Sequence, residues 1–125
     1  MISVPSPGAI SATGNVGASA NDVTLTADQI PPGQFGYFIS SQTQGFFNPP
    51  GSVGFICLGG GIGRYNQPQN IGQGPSFSLV LDLTDIPTPT GSASVNPGET
   101  WNFQAWYRDI GNTNNFTDGV EILFL

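Results

Sequence analysis

Catalysis and metal binding both draw on a short set of residue types, and this chain is poor in most of them. It has no His and no Lys, so the usual general bases are missing, and its one cysteine, Cys57, has no base beside it to activate the thiol. Asp82, Asp85, Glu99, Asp109 and Asp118 supply carboxylates of the kind glycosidases use in pairs, but nothing in their spacing selects two of them. No enzymatic activity is expected. Asp109, Asn112, Asn114, Asn115 and Asp118 do concentrate oxygen donors of the kind Ca²⁺ prefers, which makes calcium the one cofactor the sequence offers. Their spacing does not fit the twelve-residue helical calcium loop, and the ordinary reading is a solvated loop whose Asn side chains make local turn hydrogen bonds. Asn115-Phe116-Thr117 is also an N-x-T sequon, naming Asn115 as a glycosylation acceptor where that modification operates.

Charge narrows the partners. Arg64 and Arg108 stand against eight acids, for a net charge of −6, so the basic stripe that nucleic acid or an anionic membrane surface requires is absent. Each arginine is expected to pair with a nearby carboxylate such as Asp109 or Asp118, a contact worth about 0–1 kcal/mol if exposed. The polar surface must come from Asn, Gln, Ser, Thr and Gly, a composition that suits extracellular structural or adhesive proteins. Sugar binding would need exposed rings, for which Trp106, Tyr65 and Tyr107 are candidates, although packing is their commoner use. Cys57, among Phe55, Ile56 and Leu58, reads as a buried small hydrophobe or as half of an intermolecular bridge. No apolar run approaches the roughly 18 residues of a membrane-spanning helix, and the N-terminus lacks the basic and apolar regions of a signal peptide.

The element that must position these groups is the run Glu99 to Ile110. At period two, Trp101, Phe103, Ala105 and Tyr107 fall on one side and Asn102, Gln104, Trp106 and Arg108 on the other, the pattern of a central strand covered on both faces. Around it, Asp22–Thr26, Gln34–Thr43, Val53–Tyr65, Ser76–Leu83 and Gly119–Leu125 read as further strands separated by Gly- and Pro-containing turns. Gln44–Ser52, Thr84–Gly98 and Asp109–Asp118 read as loops, with Phe46 and Phe47 either a lid on the core or an exposed contact. The glycines at 59–61 and 63 superficially resemble a phosphate-binding turn, but Pro68 and Pro75 bar the helix that such a turn needs, so they imply a bulge or a close backbone approach. With no helical stretch, the expectation is all-β: one antiparallel β-sandwich of about seven strands, immunoglobulin-like or jelly-roll, over residues 22–125. Its core is expected to hold Trp101, Phe103, Phe77, Leu79, Leu81, Val120 and Ile122. Residues 1–21 are either an N-terminal arm or an edge strand.

Phe35-Gly36-Tyr37-Phe38, Cys57-Leu58-Gly59-Gly60, Ile62-Gly63-Arg64-Tyr65, Leu81-Asp82-Leu83, the run Pro97 to Asp109 (PGETWNFQAWYRD) and Asn115-Phe116-Thr117-Asp118-Gly119 together resemble an uncharacterised domain at the C-terminal ends of predicted secreted bacterial proteins, planctomycetes among them. The resemblance runs from about Asp22 to the end and implies an exported β-rich module with no known activity. The functional expectation is a non-catalytic extracellular or cell-surface subunit that associates with copies of itself into a fibre, sheath or surface array. The arm would exchange between subunits, with Ile2, Val4 and Ile10 filling pockets beside an end strand that is apolar on both sides through Leu123 and Leu125. The alternative is a carbohydrate-binding or adhesive module that contacts glycans through Trp106 and Tyr65.

Overall fold

A computed structural model describes residues 9–29, 35–47, 56–65, 69–70, 76–109 and 113–125. Its strands are β1 (Ala9–Asn15), β2 (Asp22–Asp28), β3 (Phe35–Ser41), β4 (Thr43–Phe47), β5 (Ile56–Gly59), β6 (Gly63–Arg64), β7 (Gln69–Asn70), β8 (Phe77–Val80), β9 (Ile86–Thr88), β10 (Gly91–Ala93), β11 (Thr100–Asp109), β12 (Thr113–Phe116) and β13 (Val120–Leu123). A single 3₁₀ turn at Ala18–Ala20 is the only helical piece among the described residues, and no helix there is long and apolar enough to cross a membrane. Every ladder among the described residues is antiparallel.

β11 is the central strand. Along one edge it pairs with β3, from Asn102↔Ser41 to Tyr107↔Gly36; along the other it pairs with β13 and then, end to end, with β12. At the junction of β12 and β13, Thr117 keeps the ladder closed: its N–H donates to the Ala105 carbonyl, and its Oγ1 accepts from the Ala105 N–H at 3.0 Å. The six-stranded sheet so formed, β12-β11-β3-β6 with β13 and β7 attached, faces the three-stranded sheet β1-β2-β8. Between them Trp101, Phe103, Ala105, Tyr107, Phe38, Ile122 and Phe124 meet Ile10, Val23, Leu25, Ala27 and Phe77, while Leu81, Leu83, Ile86 and Val95 close the ends. Of the expected core, Trp101, Phe103, Phe77, Leu81 and Ile122 are buried, and Leu79 and Val120 pack against it half-buried.

The all-β antiparallel class expected from the sequence is therefore the one adopted. It is distributed over four sheets among the described residues, because two expected loops contribute separate two-stranded ribbons, while a third adds a strand to the large sheet. Gln44–Ser52 begins inside the β4–β5 ribbon, Thr84–Gly98 carries the β9–β10 ribbon, and Asp109–Asp118 carries β12. The edge of β11 recruits Thr113-Asn114-Asn115-Phe116 into a ladder that its turn-forming composition does not advertise. Of the two alternatives for the N-terminal segment, residues 9–15 form an edge strand, paired with β2 of the same chain from Ala9↔Asp28 to Asn15↔Asp22. Gly14 closes that hairpin at φ +117, where a Cβ would overlap the Asp22 carbonyl. Gly63 bears out the close-approach reading of the glycine run, since a Cβ there would overlap the Pro87 carbonyl of β9.

Candidate binding surfaces

On its outer side β11 begins with amides. Gln104 is fully buried; its Oε1 accepts from the Cys57 N–H at 2.8 Å and its Nε2 donates to the Thr117 carbonyl at 2.6 Å. Asn102 Nδ2 donates to the Ser41 carbonyl at 3.2 Å, and its Oδ1 accepts from Gln44 Nε2, which also reaches Glu121. Ser41 Oγ donates in turn to the Gly59 carbonyl at 2.6 Å. These bonds clamp the β4–β5 ribbon over half of the outer face, each buried amide satisfied rather than stranded.

Beyond the clamp the face opens. Tyr37 and Trp106, opposite each other on β3 and β11, stack with centroids 4.7 Å apart and planes 18° from parallel. Their inner edges rest on a second small core of Ile39, Leu58 and Phe116. The Arg64 guanidinium lies over the Tyr37 ring at 5.1 Å and that of Arg108 over the Trp106 ring at 5.6 Å. The chain's only two cations thus converge on one stacked aromatic pair, in a molecule of net charge −6.

A second surface lies where the two sheets meet. Ile10 N–H donates to Asp118 Oδ1 at 2.8 Å, and at the far end Leu125 N–H donates to the Val16 carbonyl while Ala18 N–H donates to that of Leu125. β1 and β13 therefore run side by side in the same direction, tied at both ends. Between the ties no ladder joins them among the described residues, and a cleft of about 280 Å³ opens, lined by Ala12, Gly14, Val23, Val120, Glu121 and Leu123. Val16, Leu123 and Leu125 are exposed at or beside it, at 40, 53 and 67 %.

Several expected site residues are corrected by this geometry. Ile10 belongs to the chain's own core and is unavailable to a neighbour's pocket, whereas Ile2 and Val4 lie outside the described residues. Tyr65 turns inward: its half-buried ring packs against the core, and its buried hydroxyl has no hydrogen-bond partner among the described residues. Burial, then the nearby Asp85 and Asp82 carboxylates, push its phenol above the usual range. Tyr107 is fully buried, whereas Trp106, another ring that sequence reasoning named, is half-buried on the outer face. Asn115 is 3 % exposed, its Oδ1 accepting from the Phe116 N–H, so the sequon is folded into β12 where an oligosaccharide does not fit.

Of the calcium candidates Asp109, Asn112, Asn114 and Asp118, only Asp118 has a described side chain. Thr117 pairs with Ala105, four residues from Asp109 along β11, and at about 3.3 Å per residue that separation is roughly 13 Å. Asp118 instead ties down Ile10, Asn112 and the side chains of Asp109 and Asn114 lie outside the described residues, and no cluster of acids, cysteines or histidines that would hold a metal occurs among the described ones. Cys57 is half-buried rather than buried, beside a cavity of about 230 Å³ shared with Gln44, Asn102 and Glu121. Burial, then Asp118, raise its thiol pKa, with a hydrogen bond to Gln104 acting the other way. Tyr37 was not singled out as a site residue, because its meeting with Trp106 depends on the β3–β11 register, which no local pattern encodes.

No family model matches this chain, and no curated protein and no solved structure matches it.

Proposed function

We propose that this chain is a non-catalytic extracellular structural subunit that associates with copies of itself through the β1–β13 cleft. The observation that carries this reading is the open cleft between two strand edges, with Val16, Leu123 and Leu125 exposed around it. A lone monomer gains nothing from such an edge, whereas an extended segment of a neighbour gains main-chain hydrogen bonds and apolar contact there. The occupant in this reading is residues 1–8 of the next copy, whose sequence offers Ile2 and Val4 as apolar side chains. Because Ile10 is held in its own core, exchange is limited to those first eight residues. The contact is heterologous and propagates into a filament or array. The absence of His and Lys, together with a thiol whose pKa is raised, supports a non-catalytic role. The Lys-free amide and hydroxyl surface, with the resemblance to exported bacterial modules, supports an extracellular one. Removing Met1–Gly8 tests the mechanism: electron microscopy and light scattering should show multimers of the full chain and their loss in the shortened one. Identical multimers from both would reject arm exchange.

Carbohydrate binding is the second reading, favoured by one observation, the half-exposed Trp106 stacked on Tyr37. Glycan-array screening with Trp106→Ala as control tests it; ring-dependent capture is expected, and capture unaffected by the substitution would reject this surface.

A further inference from the structure

We infer that the row Arg64, Tyr37, Trp106 and Arg108 selects carboxylate-bearing sugars, the uronate units of acidic polysaccharides; this rests on the carbohydrate-binding reading and names its ligand class. A neutral pyranose binds an aromatic ring by lying across an open face. Here Tyr37 and Trp106 stack on each other and a guanidinium lies over each ring, so open ring face is scarce and the row presents ring edges and guanidinium N–H groups. Arg64 is exposed, and among the described residues no ion pair joins it to a carboxylate. A guanidinium packed over a ring retains a planar fork of donors, matched to a carboxylate, and is less free to reorient than one in open solvent. With no Lys or His in the chain, Arg64 is the exposed side-chain cation that this surface offers a carboxylate, with Arg108 at the far end of the row. The aromatic pair then supplies apolar surface for the sugar ring that carries the acid.

The test uses the full chain and oligogalacturonate, alongside the same oligomer with its carboxylates methyl-esterified, in isothermal titration. The acid form should bind at least about tenfold more tightly than the ester, Arg64→Gln should remove most of that difference, and Trp106→Ala should weaken binding of the acid form, with unchanged circular dichroism in both variants. Equal binding of acid and ester would overturn the carboxylate inference and leave the carbohydrate reading standing. Tight binding of the acid form that survives Arg64→Gln would overturn its placement at this row. Binding of neither oligomer, nor of glucuronate, mannuronate and guluronate oligomers run beside them, overturns the inference; whether the broader reading falls with it is then read from the array of neutral glycans.

Discussion

One strand, β11, presents two faces of opposite character. Toward the core, Trp101, Phe103, Ala105 and Tyr107 are all buried in a continuous apolar layer completed by the opposing sheet. Toward the outside, Asn102 and Gln104 are just as buried, yet they are held by directed hydrogen bonds to the β4–β5 ribbon and Thr117, and the strand then emerges as Trp106 and Arg108. Burial on the first face is a matter of volume and apolar area; on the second it depends on donors meeting acceptors. The difference teaches that burial alone does not mark the core of this protein, and that the outer cover of β11 stops where Trp106 and Arg108 emerge.

Substitutions on each face should separate the two regimes. Phe103→Ala should cost about 3–5 kcal/mol in urea unfolding, through lost transfer free energy and the cavity left behind. Gln104→Ala should cost about 1–3 kcal/mol for each buried group it strands, the Cys57 N–H and the Thr117 carbonyl, and faster hydrogen exchange at the Cys57 amide would show the loss to be local. If Gln104→Ala proved neutral, the distinction between the faces would fail.

Tyr65 sharpens the comparison in the opposite sense, its hydroxyl being buried without a partner among the described residues. Tyr65→Phe should leave stability unchanged or raise it by about 1–2 kcal/mol at neutral pH. Its folded-state pKa lies above the unfolded value of about 10, so the stability linked to the neutral phenol is fully present below that pH and is lost as pH rises above it. The phenylalanine variant should lack that alkaline decline, measured by thermal unfolding between pH 8 and about 11. The smallest effect is expected at Glu99, whose carboxylate accepts from the Asn96 backbone N–H and then from Trp101 Nε1, and whose pKa is lowered from 4.5. Its contribution is present above that value and is lost as pH falls through the lower folded one; Glu99→Gln should flatten this acid limb slightly.

Much of the architecture was legible because β11 is long enough for period two to declare both faces, and Phe77 and Ile122 follow the same rule on shorter strands, with Leu81 buried just past the end of β8. The short ribbons were not. β9 contains a proline, and β12 reads Thr-Asn-Asn-Phe, so the ladder partner supplies what local propensity withholds. Asn115 is a sequon in the string and a buried strand residue in space, and Tyr65 packs against the core two residues beyond Gly63, where the Pro87 carbonyl of β9 approaches closely. At the candidate sites, spacing placed Leu123 and Leu125 together on one face of their strand and Trp106 on the second face of β11, but the stack of Trp106 on Tyr37 and the convergence of two distant arginines required register between strands.

Self-association through the β1–β13 edge is tested most directly by sedimentation velocity over a concentration series, comparing the full chain with the double substitution Leu123→Asp and Leu125→Asp. Both side chains are exposed, so the folded subunit should tolerate the change and keep its circular dichroism. The expected result is concentration-dependent growth of large species for the unaltered chain and a single 13.0 kDa species for the variant. A full chain that stays monomeric at high concentration, or a variant that assembles as the parent does, would contradict the account.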